Sequence, residues 1–555
     1  MKDELWSITV GDQLEKVAAM YPDRQAVKYI DRDYFRTWKT FNEEVDEVAK
    51  GFTAIGVEKG DKVAIWATNV PEWLLTLFAC AKIGAVLVTV NTAYKVFELE
   101  YLLRQSDTKV LVMIDGYKDS NYVEIVNELC PMIRDQEPNH LDVPMLPFLK
   151  SVILKGDEAP AGIMPFNELF ERAKEIPDER YEQIKKMQDP QEVINIQYTS
   201  GTTGFPKGVM LTHYNIVNNG KSIGDCMKFT EEDKLCIPVP FFHCFGLVLA
   251  IMACLTHGTA MVPLEWYRPI MFLRALQEEE CTAIHGVPTM YIAALEHPDF
   301  KKFKFPRLRT GIMAGSPCPV KVMKQVIEEM GMTDITISFG QTEASPVCTM
   351  TTTDDSLEHR VASVGKAMPF IECKIVDTET GETLGPHQQG EFCARGYNIM
   401  KGYYKMPEAT AQAIDEDGWL HSGDLCEVDE DGYYKVTGRI KDMIIRGGEN
   451  IYPKELEEFL YTVDAVKDVQ VIGVPSETYG EEVMACIILK EPGSMTADEV
   501  KDVMRANMAK HKVPSYVEFV DEFPMNAAGK IQKYKMREWA VEKLNLQKAN
   551  AIETA

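Results

Sequence analysis

Residues 193–209, which read VINIQYTSGTTGFPKGV, constrain this chain more than any other stretch. A short apolar run, Val193 to Tyr198, leads into a loop of hydroxyl side chains and glycines that ends at Lys207. Glycines adopt positive φ readily, which lets successive backbone N–H groups point at one anion. Hydroxyl groups add donors, and a lysine adds a positive charge. We interpret the loop as a phosphate cradle formed by Thr199, Ser200, Gly201, Thr202, Thr203, Gly204, Lys207 and Gly208.

The loop differs from the Walker A motif, G-x-x-x-x-G-K-S/T, at two positions. Counted from Gly201, Pro206 stands in place of the second glycine, and Gly208 stands where Ser or Thr is required. The pattern therefore argues against a P-loop NTPase while keeping the phosphate interpretation. The loop alone also leaves open an ordinary Gly- and Thr-rich surface loop.

Length and charge limit the class of protein. A chain of 555 residues is too long for one core, so several domains or subdomains are expected. The net charge of −26 argues against nucleic acid or an anionic membrane as a partner. Polyanionic ligands must then be attracted locally, by loops and single basic residues.

Cysteine usage and hydropathy indicate a cytoplasmic protein. The 13 cysteines are scattered and form no C-x-x-C pair, which fits a reducing compartment, and the ten histidines show no metal-ligand spacing. The N-terminus lacks the apolar segment of a signal peptide. The most apolar stretches, Trp73–Val90 and Phe245–Leu255, are interrupted or too short to span a bilayer, so we expect no transmembrane segment.

Strands and helices alternate along the first 340 residues, which predicts parallel sheets flanked by helices. Residues 131–191, richer in Pro and charge, are expected to be a peripheral excursion, and residues 247–255 an α-helix. After about residue 360, short strands separated by turns predict a small antiparallel β-barrel subdomain. From about Lys441 the pattern becomes a compact α+β unit, with a capping box at Thr496–Glu499.

The string YTSGTTGFPKG resembles the signature of the adenylate-forming superfamily, which includes acyl-CoA synthetases, peptide-synthetase adenylation domains and firefly-type luciferases. Further motifs follow in the family's order and cover nearly the whole chain. The resemblance implies a fold with α/β and α+β parts. A large N-terminal AMP-binding domain, 1–439, would hold two doubly wound sheets and the β-barrel subdomain. A small mobile α+β domain, 440–555, would turn about a hinge at Lys441.

The segment Gly340-Gln341-Thr342-Glu343 follows the carboxyl end of a predicted strand, where open α/β sheets bind ligands. A carboxylate beside a phosphate loop suits Mg²⁺, although a solvated loop Glu is the alternative from sequence alone. The resemblance implies that Glu343 and Thr199 hold Mg²⁺, that Thr342 contacts the α-phosphate, and that Phe339 packs on adenine. In the family Tyr is usual at the last position.

The resemblance assigns the other candidate residues as follows. Asp424, in the turn WLHSGD, and Arg439 contact the ribose, and Arg439 also contacts phosphate and is a catalytic candidate. Lys530, in PMNAAGK, bridges the carboxylate and the α-phosphate and is the main catalytic candidate. Gly448 faces the pantetheine arm of CoA. Nucleotide contacts also include Gly315, Ser316, Gly340, Gln341 and the hinge Lys441, while the acyl pocket includes Phe242, His243, Val287, Ala314 and Gly340, with His243 also a catalytic candidate. A turn, a solvated face or a packed core histidine is the plain alternative at several of these positions.

The implied reaction joins a carboxylic acid to CoA through an acyl-adenylate, with ATP, Mg²⁺ and CoA as cofactors and co-substrates. Short-chain members close the acyl pocket with Trp where this chain has Gly340, and the neighbourhood is apolar. We therefore expect a medium-chain fatty acid, of roughly six to twelve carbon atoms, in a monomer or homodimer. An aryl or branched acid, a carrier-protein-loading enzyme, a non-catalytic nucleotide-binding regulator and luciferase-type oxidation are the alternatives.

Overall fold

The computed structural model describes residues 4–199, 205–315, 318, 320–378, 380–439, 444–451, 453–524 and 533–550. The strands are β1 Gln25–Lys28, β2 Phe35–Thr37, β3 Lys62–Trp66, β4 Val86–Thr89, β5 Thr108–Met113, β6 Gly116–Tyr117, β7 Ser120–Asn121, β8 Ser151–Leu154, β9 Met164–Pro165, β10 Val193–Thr199, β11 Lys207–Thr212, β12 Lys234–Ile237, β13 Ala260–Pro263, β14 Ala283–Gly286, β15 Thr310–Met313, β16 Asp334–Thr336, β17 Ser338–Gly340, β18 Val347–Met350, β19 Lys366–Ala367, β20 Ile371–Val376, β21 Gly390–Gly396, β22 Gly402–Tyr403, β23 Leu420–Val428, β24 Tyr434–Arg439, β25 Ile444–Arg446, β26 Glu449–Ile451, β27 Val466–Ser476, β28 Gly480–Leu489 and β29 Tyr516–Phe519. The α-helices are α1 Val10–Met20, α2 Trp38–Ala54, α3 Pro71–Ile83, α4 Val96–Gln105, α5 Tyr122–Leu129, α6 Glu168–Ala173, α7 Asp178–Lys185, α8 His213–Cys226, α9 Ala253–His257, α10 Pro269–Glu278, α11 Pro288–Leu295, α12 Val320–Met330, α13 Leu357–Ala362, α14 Pro407–Ala413, α15 Pro453–Tyr461, α16 Ala497–Asn507, α17 Lys533–Lys543 and α18 Gln547–Asn550.

Two large sheets carry the N-terminal region, as predicted. The first has eight strands in the order β22-β11-β10-β4-β3-β5-β8-β9 and is parallel from β10 to β9. The second has seven strands in the order β16-β15-β14-β12-β13-β1-β2 and is parallel except for β2. The early strands β1 and β2 therefore join the second sheet, while the later hairpin β10–β11 joins the first. This exchange ties the two sheets together.

Local sequence explains where the helices begin and end. Helix α3 begins at Pro71, whose fixed φ suits a first helical position, and is followed by Gly84 at φ 75°. Helix α8 is capped by Thr212, whose hydroxyl accepts the N–H of Asn215 in a reciprocal capping box. The predicted box at Thr496 is also present. Such caps fix the exits of the strands that precede α8 and α16.

Two local predictions were wrong. Residues 131–191 are not only peripheral, because β8 pairs with β5 and β9 extends the first sheet by one more strand. Residues Phe245–Met252 wind as a π-helix before α9 rather than as an α-helix. Gly246 allows that winding to approach the preceding loop, since a Cβ there would lie 2.2 Å from the carbonyl oxygen of Pro240. Periodicity distinguishes poorly between these two kinds of helix.

The remaining strands form antiparallel sheets and a separate C-terminal unit. Strands β17–β19 and β20-β21-β23-β24 make two small antiparallel sheets, and the second lies in the region predicted as a β-barrel subdomain. Strands β25–β29 form the C-terminal sheet, against which α15 and α16 pack in one apolar cluster and α17 in another. Within the described ranges, no helix combines the length and apolarity that crossing a membrane requires.

A buried ion cluster joins the C-terminal unit to the large domain. The ammonium of Lys512 lies 2.8 Å from a carboxylate oxygen of Glu98 on α4 and 2.7 Å from one of Glu455 on α15. Burial opposes the charge on Lys512, but the two carboxylates outweigh it and raise its pKa. Burial also raises the pKa of Glu98. We call these three residues the interdomain ion cluster; it fixes one orientation of the small domain.

Replacing Lys512 by Met should loosen that orientation. Removing one partner of a buried pair costs about 3–5 kcal/mol, because the remaining charges stay buried without compensation. We expect faster limited proteolysis between the two domains and an unchanged thermal transition of the large domain.

Lys543→Ala is the matched control, because Lys543 pairs with Glu518 at the surface of the same small domain. Such an exposed pair is worth about 1 kcal/mol or less. Equal interdomain cleavage rates in both variants would show that the ion cluster does not hold the domains.

Candidate active site

The predicted phosphate loop closes the β10–β11 hairpin. Thr199 and Lys207 are register partners at its two ends. The second limb rests on α4, since the ring of Phe205 stacks on Tyr101 with centroids 4.8 Å apart. The hydroxyl of Tyr101 also donates to the Pro206 carbonyl at 3.0 Å. The ends of the loop are thus anchored to the large domain on both sides.

Tyr403 connects the loop lysine to the carboxylate predicted to bind Mg²⁺. The Lys207 ammonium lies 4.9 Å from the centre of the Tyr403 ring, a cation–π distance. The Tyr403 hydroxyl donates to an oxygen of Glu343 at 2.8 Å. Glu343 itself lies in the turn after β17, and its carbonyl accepts the N–H of Met400. The structure therefore brings Lys207 and Glu343 together around one aromatic ring.

Asp424 is aimed by a bulge between β21 and β23. Only Phe392 of β21 lies opposite the three residues Ser422, Gly423 and Asp424 of β23. Gly423 has φ 74°, a left-handed conformation that suits glycine. Its N–H donates to the Glu391 carboxylate at 2.9 Å. Bulges re-aim side chains in this way.

The bulge borders a small pocket. Phe339 lines it and meets Phe392 edge to face, with ring centroids 5.1 Å apart. Asp424 follows the bulge and is buried. The backbone of Arg439 in β24 pairs with it. The predicted adenine residue Phe339 therefore lines the pocket, and the predicted ribose residue Asp424 lies two residues after Ser422, which also lines it. The rest of the lining is Gly340, Gln341, Cys348, Ala394 and Leu420.

Gly448 of the C-terminal unit lies against the large domain. A Cβ on Gly448 would lie 3.0 Å from a methyl carbon of Val287 and 3.7 Å from the carbonyl oxygen of Gly315. Gly448 has φ 87° and Gly315 φ 89°, so both positions favour glycine. The structure thus places three predicted residues, one from each of three segments, in mutual contact.

His243 is held as a neutral imidazole. Its Nδ1 lies 3.2 Å from the N–H of Phe245, which assigns the ring proton to Nε2. Burial lowers the pKa of His243, and burial raises the pKa of the neighbouring Glu449 from the C-terminal unit. In this arrangement His243 offers a donor rather than a free base. Phe242 precedes it in the same segment, and Ala314 is buried just after β15.

The sequence analysis interpreted Gly340 as leaving space in the acyl pocket, but the structure gives a different reason for the missing side chain. A Cβ on Gly340 would lie 1.9 Å from the Pro346 carbonyl oxygen, because the β17–β18 hairpin approaches closely there. The missing side chain therefore makes room for the chain's own backbone. Thr342, next to it in the QTE turn, is buried and lies 3.7 Å from the thiol of Cys244.

Several predicted residues lie outside the described part of the chain, so their roles stay predictions. These are Ser200, Gly201, Thr202, Thr203, Gly204, Ser316, Lys441 and Lys530. The sequence analysis in turn missed Tyr403 and Glu391. The signal for Tyr403 was a tyrosine pair directly after Gly402, at a strand that pairs with β11. Glu391 carried no signal, because its role depends on a partner in another strand.

Comparison with known proteins identifies the class. The AMP-binding enzyme family matches residues 14–404, and the AMP-binding enzyme C-terminal domain matches residues 455–530. The chain belongs to the AMP-binding enzyme family, the adenylate-forming superfamily that its motifs resemble.

Relatives of similar length make the assignment more specific. The provisionally named acyl-CoA synthetase YngI of Bacillus subtilis is 52% identical over 98% of this chain and 99% of its own length. The mitochondrial medium-chain acyl-CoA ligase ACSF2 of Danio rerio is 39% identical over 98% of this chain and 90% of its own length. The protein is an acyl-CoA synthetase of the AMP-forming ligase class, which implies ATP and CoA as its co-substrates.

Solved structures share the whole architecture. One is a double mutant of o-succinylbenzoate CoA synthetase MenE from Bacillus subtilis, bound to its product analogue OSB-NCoA. It superposes with a TM-score of 0.78 at 27% identity, over 95% of this chain and 98% of its own. ATP-bound MatB from Rhodopseudomonas palustris gives a TM-score of 0.66 at 27% identity, over 96% and 99%. The predicted fold class is confirmed.

Tyr403→Phe should weaken the site at Glu343 while preserving the ring beside Lys207. Losing an outer-shell hydrogen bond to a metal-binding carboxylate typically costs about 10- to 100-fold in metal affinity or activity. We expect the Mg²⁺ concentration for half-maximal adenylation to rise by about that factor.

Tyr404→Phe is the control, since the Tyr404 hydroxyl donates to Asp107 instead of Glu343. A rise of the same size in both variants would mean that the Tyr403–Glu343 contact does not support metal binding.

Proposed function

We propose that this enzyme activates medium-chain fatty acids, of roughly six to twelve carbon atoms, through an acyl-adenylate. The acid attacks the α-phosphate of ATP and releases pyrophosphate, and the CoA thiol then displaces AMP from the acyl-adenylate. The medium-chain ligases among the relatives support the substrate class. The apolar candidates Phe242, Val287 and Ala314 offer no charge that would suit a second carboxylate.

The contact of Gly448 with Val287 and Gly315 carries this proposal. Gly448 of the small domain meets Gly315 and Val287 of the large domain there, and neither glycine projects a side chain. The pantetheine arm of CoA is thin and flexible, so we assign its path to this glycine-lined boundary between the domains.

The first half-reaction requires a different orientation of the small domain. We assign Lys530 to it, as the cation between the carboxylate and the α-phosphate, where negative charge accumulates. Lys441 would be the hinge between domains 1–439 and 440–555, since a few residues absorb the dihedral change in such closures. Asp424 and Arg439 would hold the ribose, with Phe339 against adenine.

Mg²⁺ fits the residues around the phosphate loop. It takes one or two carboxylates together with phosphate oxygens and water. Glu343 supplies one carboxylate, oriented by the Tyr403 hydroxyl and close to the Lys207 end of the loop. Thr199, at the other end of the hairpin, adds a hydroxyl. When bound, the ion would neutralise charge on the leaving pyrophosphate.

We also propose that the enzyme is cytoplasmic and is a monomer or a homodimer.

Lys530→Ala and Gly448→Leu should separate the two half-reactions. Loss of the lysine should slow adenylate formation, measured by pyrophosphate exchange, by at least about 10²-fold, the effect of removing one transition-state donor. It should spare thioester formation from supplied acyl-adenylate. Gly448→Leu should do the reverse, because its φ of 87° and the close Val287 leave no room for a side chain. Equal losses in both assays for either variant would refute the assigned role.

The acid preference is tested by pyrophosphate exchange across saturated acids from acetate to palmitate, with benzoate and branched acids alongside. We expect the highest kcat/KM at roughly six to twelve carbon atoms. An optimum at acetate, at palmitate or at benzoate would contradict the proposed substrate class.

A further inference from the structure

Three side chains on one face of the β21–β23 pair bring together a carboxylate, a thiol and an imidazole. The ligand atoms of Glu391, Cys393 and His421 all lie within 4.8 Å of one another. Nδ1 of His421 is 2.9 Å from an oxygen of Glu391 and 3.5 Å from the sulfur of Cys393. Cys393 and His421 are register partners, and Glu391 projects from the same face two residues earlier. We call them the Glu-Cys-His cluster.

The spacing suits a tetrahedral metal ion. Zinc bonds of about 2.0–2.3 Å to nitrogen, oxygen and sulfur place neighbouring ligands roughly 3.3–3.6 Å apart. The distance between His421 Nδ1 and the Cys393 sulfur falls in this range, and the Glu391 oxygen would have to move away from Nδ1 to reach it. We propose that Glu391, Cys393 and His421 form a site for one Zn²⁺ or a similar borderline-soft divalent cation. Three protein ligands leave a fourth position for water or another donor.

Outer-shell hydrogen bonds also orient these ligands, as is usual for metal ligands. Nε2 of His421 lies 3.4 Å from a carboxylate oxygen of Asp415, which would orient the imidazole so that Nδ1 faces the ion. The second oxygen of Glu391 accepts the N–H of Gly423. Lys374 lies opposite Cys393, but its ammonium is over the Trp419 ring, 4.1 Å from the ring centre. Glu391 and Asp415 offset its charge.

A simpler arrangement would use the same contacts without a metal. An imidazolium between the carboxylates of Glu391 and Asp415 would satisfy His421, but it would not need the thiol. A metal ion would bind Cys393 as thiolate, whereas the arrangement without a metal makes no use of a thiolate. Thiolate coordination is therefore the property that distinguishes the two.

The cluster is mechanically linked to the nucleotide pocket. Phe392, Leu420 and Ser422 line that pocket from the opposite face of the same strands. Glu391 accepts a hydrogen bond from Gly423, the residue before Asp424. A metal ion that moves the Glu391 carboxylate would therefore also shift the bulge. This consequence rests on the proposed ribose role of Asp424, while the metal site itself does not.

Co²⁺ is the direct probe, because its thiolate complexes absorb in the near ultraviolet. The full-length reduced protein, stripped with chelator, would be titrated with Co²⁺ alone. We expect one equivalent to produce a thiolate-to-cobalt band in the wild type and in Cys373→Ser. Cys373 is the matched control, since it lies on the neighbouring strand but is the register partner of Ala394, a residue of the pocket face. The band should disappear in Cys393→Ser.

Zn²⁺ competition against Co²⁺ gives affinities for the remaining variants, each checked for an unchanged circular dichroism spectrum. His421→Gln should abolish binding, and Asp415→Asn should weaken it by about 10- to 100-fold, as removal of an outer-shell carboxylate does. No band in the wild type, or a band that persists in Cys393→Ser, would overturn the site.

The link to the nucleotide pocket has its own readout. Zn²⁺ added in the presence of saturating Mg²⁺ should change the KM for ATP in the wild type and leave it unchanged in Cys393→Ser. An unchanged KM in a wild type that shows the cobalt band would overturn the link. The Lys530→Ala variant tests the proposed adenylation step, so its activity bears on neither the metal site nor the link.

Discussion

One buried ammonium between two carboxylates sets the arrangement on which the candidate site depends. Lys512 of the small domain meets Glu98 of the large domain and Glu455 of its own domain. Charges taken out of water must be paired, so the cluster is stable only in an orientation that keeps all three together. That same orientation brings Gly448 against Val287 and Gly315. Any rotation of the small domain must therefore first expose the cluster to water.

Local charge placement explains how a chain of net charge −26 can attract polyanions. Lys207 is at the end of the phosphate loop, beside the Tyr403 ring, whose hydroxyl binds Glu343. The aromatic ring of Tyr403 thus contacts the ammonium through its face and the carboxylate through its hydroxyl. In the proposed reaction the ammonium would bind phosphate and the carboxylate a metal ion. The overall field matters less than this short-range order, because charges beyond about 8–10 Å are screened at physiological salt.

Short contiguous motifs were predictable, whereas contacts between distant strands were not. The segment Phe339–Glu343 and Asp424 could be found from sequence because their chemistry lies within a few residues, and the structure places both beside one pocket or its border. Tyr403 and Glu391 act on partners that the chain reaches only through sheet pairing. The π-helix at Phe245–Met252 has the composition of an ordinary buried helix, and its winding depends on the loop that Gly246 approaches. Periodicity carries no information about such tertiary constraints.

Gly340 does not explain how the enzyme would distinguish between acids. The space left by its missing side chain is taken by the Pro346 carbonyl, so this position cannot by itself define how far an acyl chain extends. Val287 is the more informative residue, since it is a predicted wall of the acyl pocket and also the contact of Gly448. An acyl group that displaces Val287 would alter the surface on which the small domain docks. With Val287 in the predicted acyl pocket, substrate fit and domain docking would be coupled at one side chain, and discrimination between acids would extend to the second half-reaction.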